Sequence, residues 1–204
     1  LSDEFGLFNL FRYVTFRTGG AIMTALVVSF LIGPAMIRWL KVRQGNGQPI
    51  RDDGPEWHLT AKVGTPTMGG FLILIAVTLS TLLWANLSNQ FVWIVLLVTL
   101  GFGMVGCADD YIKVIRQHHS GLPGRIKLGV QLLVGAVATI WVMNALPTEL
   151  ASGISIPFFK SVLINFGWMF VPFAVLVMVG ASNAVNLTDG LDGLAIVPIM
   201  IAAA

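Results

Sequence analysis

The chain has 204 residues, 56% of them hydrophobic and 11% charged, with a formal net charge of +2. A soluble domain carries about 25% charged residues, so this chain has too little polar surface to cover a soluble globule, and its mean hydropathy of +0.83 points the same way. The composition therefore excludes the ordinary soluble classes, and the net charge is too small to suggest a nucleic-acid partner.

Cys107 is the single cysteine of the sequence, which rules out an intrachain disulfide; it reads as a small apolar packing residue. Residues 5–16 mix Phe5, Leu7, Phe8 and Phe11 with Arg12 and Arg17 at their end, the pattern of an amphipathic helix lying on a membrane surface. The alternative is a frayed start to the first span. Asp3 and Glu4 stand where a cleavable signal would be basic.

Five apolar stretches follow, at 19–40, 68–84, 91–108, 128–146 and 163–181, each read as a membrane-spanning helix. A sixth opens near Leu191 and is cut short at Ala204, so the sequence reads as the N-terminal part of a longer protein. The expected fold is an all-α polytopic transmembrane bundle, five complete spans and the start of a sixth, in one membrane domain over 1–204. Pro34 after Gly33 predicts a kink in the first span. Trp39, Trp84 and Trp93 sit near span ends and read as interface anchors.

Charge orients the spans. Lys41, Arg43, Arg51 and Lys62 follow span one, and Lys113, Arg116, Arg125 and Lys127 follow span three. The alternate loops are poor in charge, with none over 86–90 and only Glu149 and Lys160 over 147–161. Positive loops remain cytoplasmic. The N-terminus is thus expected outside, and 41–67, 109–127 and 182–190 are expected as cytoplasmic loops. Asp52, Asp53, Glu56, Asp109, Asp110, Asp189 and Asp192 all fall in or beside those loops. Acids and bases gather at one membrane face.

Three clusters carry the chemistry. The first, "RDDGPEWHLTAKVGTPTMGG", combines Lys62 with glycines and leads through Thr67 into a helix start, where free N–H groups favour phosphate. The P-loop order, GxxxxGK followed by Ser or Thr, is absent, and a glycine-proline turn with Lys62 as a charge anchor is the competing reading. The second, "GCADDYIKVIRQ", sets Asp109 beside Asp110 at the end of span three. Adjacent carboxylates need cations to balance them, and Mg²⁺ characteristically takes one or two carboxylates plus substrate phosphates. Simple pairing with Lys113 and Arg116 on the next turn is the alternative. The third, "SNAVNLTDGLDGL", spaces Asn183, Asn186, Asp189 and Asp192 three residues apart. Asp189 and Asp192 suit a helix cap, but Asn183 and Asn186 are not needed for one. Residues 186–188 also match a glycosylation sequon, on the expected cytoplasmic side where that modification does not occur. His118 and His119 lie between polar neighbours and read as a solvated loop, while His58 sits among Glu56, Lys62 and the glycine turn.

"DGPEWHLTAKVGTPTMGG", "ADDY" and "NAVNLTDGLDGLA" together resemble the phospho-N-acetylmuramoyl-pentapeptide transferases, the translocase I branch of the polyprenyl-phosphate sugar-1-phosphate transferases. The resemblance runs along essentially the whole chain, and "KxGTPTMGG" is its most branch-specific part. It implies ten transmembrane helices in the bacterial plasma membrane and a homodimer. It also implies Mg²⁺-dependent transfer of phospho-N-acetylmuramoyl-pentapeptide from UDP to undecaprenyl phosphate, with release of UMP. By the same resemblance, Asp109, Asp110 and Lys62 are catalytic. Thr67, Lys127, Asn183, Asn186 and Asp189 bind substrate, and Asp109, Asp110 and Asp192 are candidate metal ligands. A further aspartate and a histidine-rich loop that the family uses fall beyond Ala204, so this chain alone is expected to be inactive. A transporter with an ion relay would place its acids mid-span; here they lie at span ends. A related transferase taking UDP-N-acetylglucosamine is disfavoured by "GTPTMGG".

Overall fold

The computed structural model describes residues 6–44, 67–116, 121–155, 163–188 and 195–203. They form two compact units, one ending at Gly124 and one starting at Arg125.

In the first unit a 3-10 helix, Gly6–Arg12, leads into α1 (Val14–Gln44), α2 (Gly70–Trp84) and α3 (Gln90–Arg116). The single surface helix expected over 5–16 is corrected: the chain is 3-10 up to Arg12, and α1 takes over at Val14. With 31 residues, α1 is about 46 Å long. It continues through Pro34, which removes one ladder hydrogen bond without ending the helix.

The second expected span is also corrected. Met68 has a positive φ of 72° and cannot continue a right-handed helix, so α2 opens only at Gly70. Ala85 is extended and closes it. Its 15 residues reach about 22 Å, short of a hydrocarbon core of about 30 Å. Instead of five crossing helices the described residues hold four that are long and apolar enough, plus this shorter one.

Helix contacts give the first unit its order. Gly20 lies against Trp84, Gly33 against Leu72, and Gln44 against Thr67, so α1 and α2 run antiparallel. Leu74 against Gly103 and Thr67 against Asp110 do the same for α2 and α3. Between α2 and α3, Asn89 accepts the Phe91 N–H at 2.9 Å, a side-chain cap on the start of α3.

At the far end of α2, Trp84 holds the N-terminal segment. Its Nε1–H donates to Thr24 Oγ1 at 2.8 Å, and its ring stacks on Phe11 with centroids 5.8 Å apart. A Cβ at Gly20 would fall 2.5 Å from the same ring, so only glycine admits it. Arg17 donates through Nε to the Trp84 carbonyl. A guanidinium suits the partial negative charge of a helix C-terminus. Arg17, on the side expected to be poor in positive charge, is thus occupied by a backbone carbonyl.

The second unit contains α4 (Gly124–Ala145), strands β1 (Gly153–Ser155) and β2 (Leu163–Asn165), α5 (Phe170–Thr188) and α6 (Ile196–Ala203). The strands pair antiparallel with Gly153 opposite Asn165, a small departure from the all-α expectation. This hairpin also corrects the fifth span, because 163–165 are strand rather than helix. The Asn165 side chain accepts from the Ser152 hydroxyl at 2.7 Å and from the Gly167 N–H at 2.8 Å, which turns the chain toward α5. At its other end α5 continues to Thr188, seven residues beyond the expected 181. On α4, Gln131, Gly135, Ala138 and Thr139 form one buried stripe. Gly135 admits Val175 and Met178 of α5 to 3.5 Å of where a Cβ would be, the close approach that small residues allow in membrane helix pairs.

Large apolar side chains point outward. Phe30, Leu31, Leu83 and Leu176 are each at least 70% exposed. Such a surface would drive association in water and is the expected surface in lipid. The chain is a polytopic membrane bundle.

Candidate active site

At the end of the first unit where α1 and α3 finish and α2 starts, Gln44, Thr67, Asp109, Asp110 and Lys113 form one connected cluster. Asp109 and Asp110 stand in the last two turns of α3, not in a loop beyond it. Neighbouring helix positions diverge by about 100°; the two carboxylates share Lys113 but otherwise take different partners.

Asp110 Oδ2 accepts a hydrogen bond from Thr67 Oγ1 at 2.9 Å. Thr67 is in turn held by Gln44, the last residue of α1. The Thr67 N–H donates to Gln44 Oε1 at 2.9 Å, and Gln44 Nε2 donates to the Thr67 carbonyl at 3.1 Å. The amide of Gln44 thus satisfies both backbone groups of one residue, and Gln44 is only 7% exposed. The next residue is the left-handed Met68. A non-glycine there costs about 1–2 kcal/mol, which the fixed Thr67 helps to sustain.

Asp109 faces the other way. Its Oδ2 pairs with Lys113 Nζ at 2.6 Å, one helical turn on, and its Oδ1 accepts the Leu122 N–H at 2.8 Å. Gly121 lies directly over this carboxylate. A Cβ there would collide with Asp109 Oδ1 and approach Lys113 Cε to 2.9 Å. Asp110 Oδ1 meets Lys113 Nζ only at 3.8 Å. Of the four carboxylate oxygens it is the one least committed to the protein, on a side chain 31% exposed.

A hard, partly exposed carboxylate oxygen beside a second carboxylate is a donor set that fits Mg²⁺. Among the described residues no three His, Cys, Asp or Glu side chains cluster as a metal site. Asp192, the third candidate ligand, lies outside the described residues, as do Lys62, Asp189, His58, His118 and His119.

In the second unit Lys127 is half-buried in the first turn of α4. Asn183 and Asn186 stand in the last two turns of α5 rather than in a loop. Asn183 Nδ2 donates to Gln131 Oε1 at 2.9 Å and to the Val179 carbonyl at 2.8 Å. Gln131 is 2% exposed, and its Nε2 lies 3.4 Å from Ser182 Oγ. The Asn183 amide therefore joins α4 to α5. Asn186, one turn further, is exposed.

Sequence reasoning did not single out Gln44, Gly121 or Gln131. A glutamine that ends a basic helix end and a glycine in a polar loop carry no spacing signal. Gln131 had one: it is a polar residue in the middle of an apolar stretch.

The sequence resembles known proteins. Residues 92–204, more than half of the chain and including both aspartates, match the family described as Glycosyl transferase family 4. The chain belongs to this family. Among curated members, a phospho-N-acetylmuramoyl-pentapeptide-transferase of Granulibacter bethesdensis is 61% identical over 203 residues. One of the same name from a Ruegeria species is 57% identical over 203 residues. Each alignment covers 100% of this chain and 56% of the relative, so this family 4 chain spans little more than half the length of either.

Proposed function

We propose that the full-length protein transfers phospho-N-acetylmuramoyl-pentapeptide from its UDP conjugate to undecaprenyl phosphate, giving lipid I and UMP. The reading is supported chiefly by 61% identity, along the whole of this chain, to a relative named for that transfer. The reaction would occur at the cytoplasmic face of the bacterial plasma membrane, where the positive-inside rule puts the loops after α1 and α3. A homodimer belongs to the same reading by family resemblance.

In the transfer, an oxygen of the lipid phosphate attacks the β-phosphorus of the UDP conjugate. The bond from that phosphorus to the bridging oxygen breaks, and UMP leaves with the electron pair. The second pKa of a phosphate monoester is about 6, so the attacking phosphate is already largely dianionic at neutral pH. A base gains little. Positioning and charge neutralisation do most of the work.

Bound Mg²⁺ would neutralise the diphosphate oxygens and polarise the phosphorus toward attack. Asp110, through Oδ1, is the residue of the first unit best suited to hold it. Asp109 fixes the end of α3 and the Leu122 backbone, and Thr67 orients Asp110 from the opposite side. By family resemblance Lys62, Lys127, Asn186, Asp189 and Asp192 are further proposed substrate and metal residues, and Asn183 pins the end of α5 one turn before Asn186. The deciding experiment supplies the purified full-length protein with undecaprenyl phosphate and either UDP-N-acetylmuramoyl-pentapeptide or UDP-N-acetylglucosamine, with and without Mg²⁺. UMP release is expected from the first substrate only, and only with the metal. Release from UDP-N-acetylglucosamine alone would replace this reading with that of a related transferase.

A further inference from the structure

We infer that Gln44 is a positioning residue of this site, acting through Thr67 on Asp110. The inference rests on the function proposed above, and its own ground is geometric. A glutamine at the end of a basic helix normally reaches solvent; this one is almost wholly buried. Both ends of its amide are used on a single residue, at 2.9 Å to the N–H and 3.1 Å to the carbonyl of Thr67.

Two consequences follow from that double contact. The backbone of residue 67 is held at both its N–H and its carbonyl, which keeps its hydroxyl within reach of Asp110 Oδ2, at 2.9 Å. Asp110 is then held by one oxygen while the other, Oδ1, stays 3.8 Å from its lysine neighbour and open to a ligand. The left-handed Met68 shows that the chain at this point is not in its relaxed conformation, and a clamp on the preceding residue is what such a turn requires. Gln44 touches no reacting atom. It fixes the direction in which Asp110 presents its available oxygen.

The test uses the full-length protein and a double-mutant cycle. Gln44→Met keeps the side-chain length and removes both hydrogen bonds; Thr67→Val keeps the shape and removes the hydroxyl. Gln44→Met should lower kcat about tenfold with KM for the UDP substrate changed less than twofold. In the Thr67→Val background the same change should cost less than twofold more, because its route to Asp110 is already cut. Hydrogen exchange supplies a readout independent of turnover: the Thr67 amide should lose protection in Gln44→Met while the amides of α3 keep theirs. Multiplicative losses in the double variant, wild-type kcat in Gln44→Met, or unchanged protection of the Thr67 amide would each overturn the inference with the proposed function intact. A wild-type protein that exchanges normally but releases no UMP would overturn the proposed function, and the positioning role with it.

Discussion

Asp109 accepts the backbone N–H of Leu122 at 2.8 Å, so the carboxylate at the end of α3 ties down the chain that enters α4. The contact exists because residue 121 is glycine: any Cβ would strike the carboxylate and crowd Lys113. Gly121→Ala should therefore displace the bond, with the cost of overpacking, about 1–3 kcal/mol. Gly124→Ala, three residues on, meets nothing within 4 Å and is the control. Thermal unfolding of the full-length protein in detergent should show a fall for the first and none for the second, and UMP release should fall only with the first. Equal behaviour of the two variants would contradict the described contact.

The Lys113–Asp109 pair makes a separate prediction. Its side chains are 18% and 15% exposed, so the pair is neither a screened surface pair nor a deeply buried one. Lys113→Met would keep the Leu122 bond of Asp109 and remove the ammonium that lies 2.6 Å from its Oδ2. A loss of about 1–3 kcal/mol is expected, between the values for exposed and buried pairs. Asp109→Asn should weaken the fold less, because an amide oxygen still accepts from Leu122. Unfolding of both single variants and the double variant measures the coupling. Additive losses would show that the ion pair contributes nothing to stability.

The limits of the sequence as a guide follow from these same residues. The membrane class and the long apolar helices were legible, because apolar length is a property of local composition. So was the pairing of Lys113 with the acids, a consequence of helical spacing. The shortness of α2 was not, since it depends on the left-handed Met68, a residue type that gives no warning of positive φ. Nor was the β2 strand, because a run such as residues 163–165 is equally apolar as strand or helix and is decided by the Asn165 turn. Gln44 and Gln131 acquire their roles only from partners distant in sequence, Thr67 ahead of α2 and Asn183 on α5, 23 and 52 positions away.

Glycines 19 and 20 separate a tertiary contact from simple helix propensity. Both lie within α1, yet a Cβ at Gly20 would sit 2.5 Å from the Trp84 ring while one at Gly19 meets nothing within 4 Å. Trp84 cannot retreat without giving up its bond to Thr24 and its stack on Phe11. Gly20→Ala should destabilise by about 1–3 kcal/mol. Gly19→Ala should be neutral or stabilise by up to about 1 kcal/mol through the better helix propensity of alanine. Tryptophan fluorescence during thermal unfolding reports both, and a stabilising Gly20→Ala would show that Trp84 does not pack there.

Asn183 poses the sharpest choice between a substrate-binding role and a structural one. Its amide is bonded to Gln131 Oε1 and to the Val179 carbonyl. If the side chain bound substrate, Asn183→Leu would raise KM for the UDP substrate and leave stability unchanged. The geometry predicts the reverse. With Asn183 gone, the almost fully buried Gln131 is left without its 2.9 Å partner, and an unsatisfied buried polar group costs about 1–3 kcal/mol. Adding Gln131→Leu to Asn183→Leu removes both polar partners and should recover most of that stability, as replacing a whole hydrogen-bonded pair by apolar groups is close to neutral. The four-variant comparison of unfolding temperature and KM in the full-length protein checks it. A raised KM that Gln131→Leu fails to restore, with stability intact throughout, would move Asn183 from the α4–α5 pairing to the substrate.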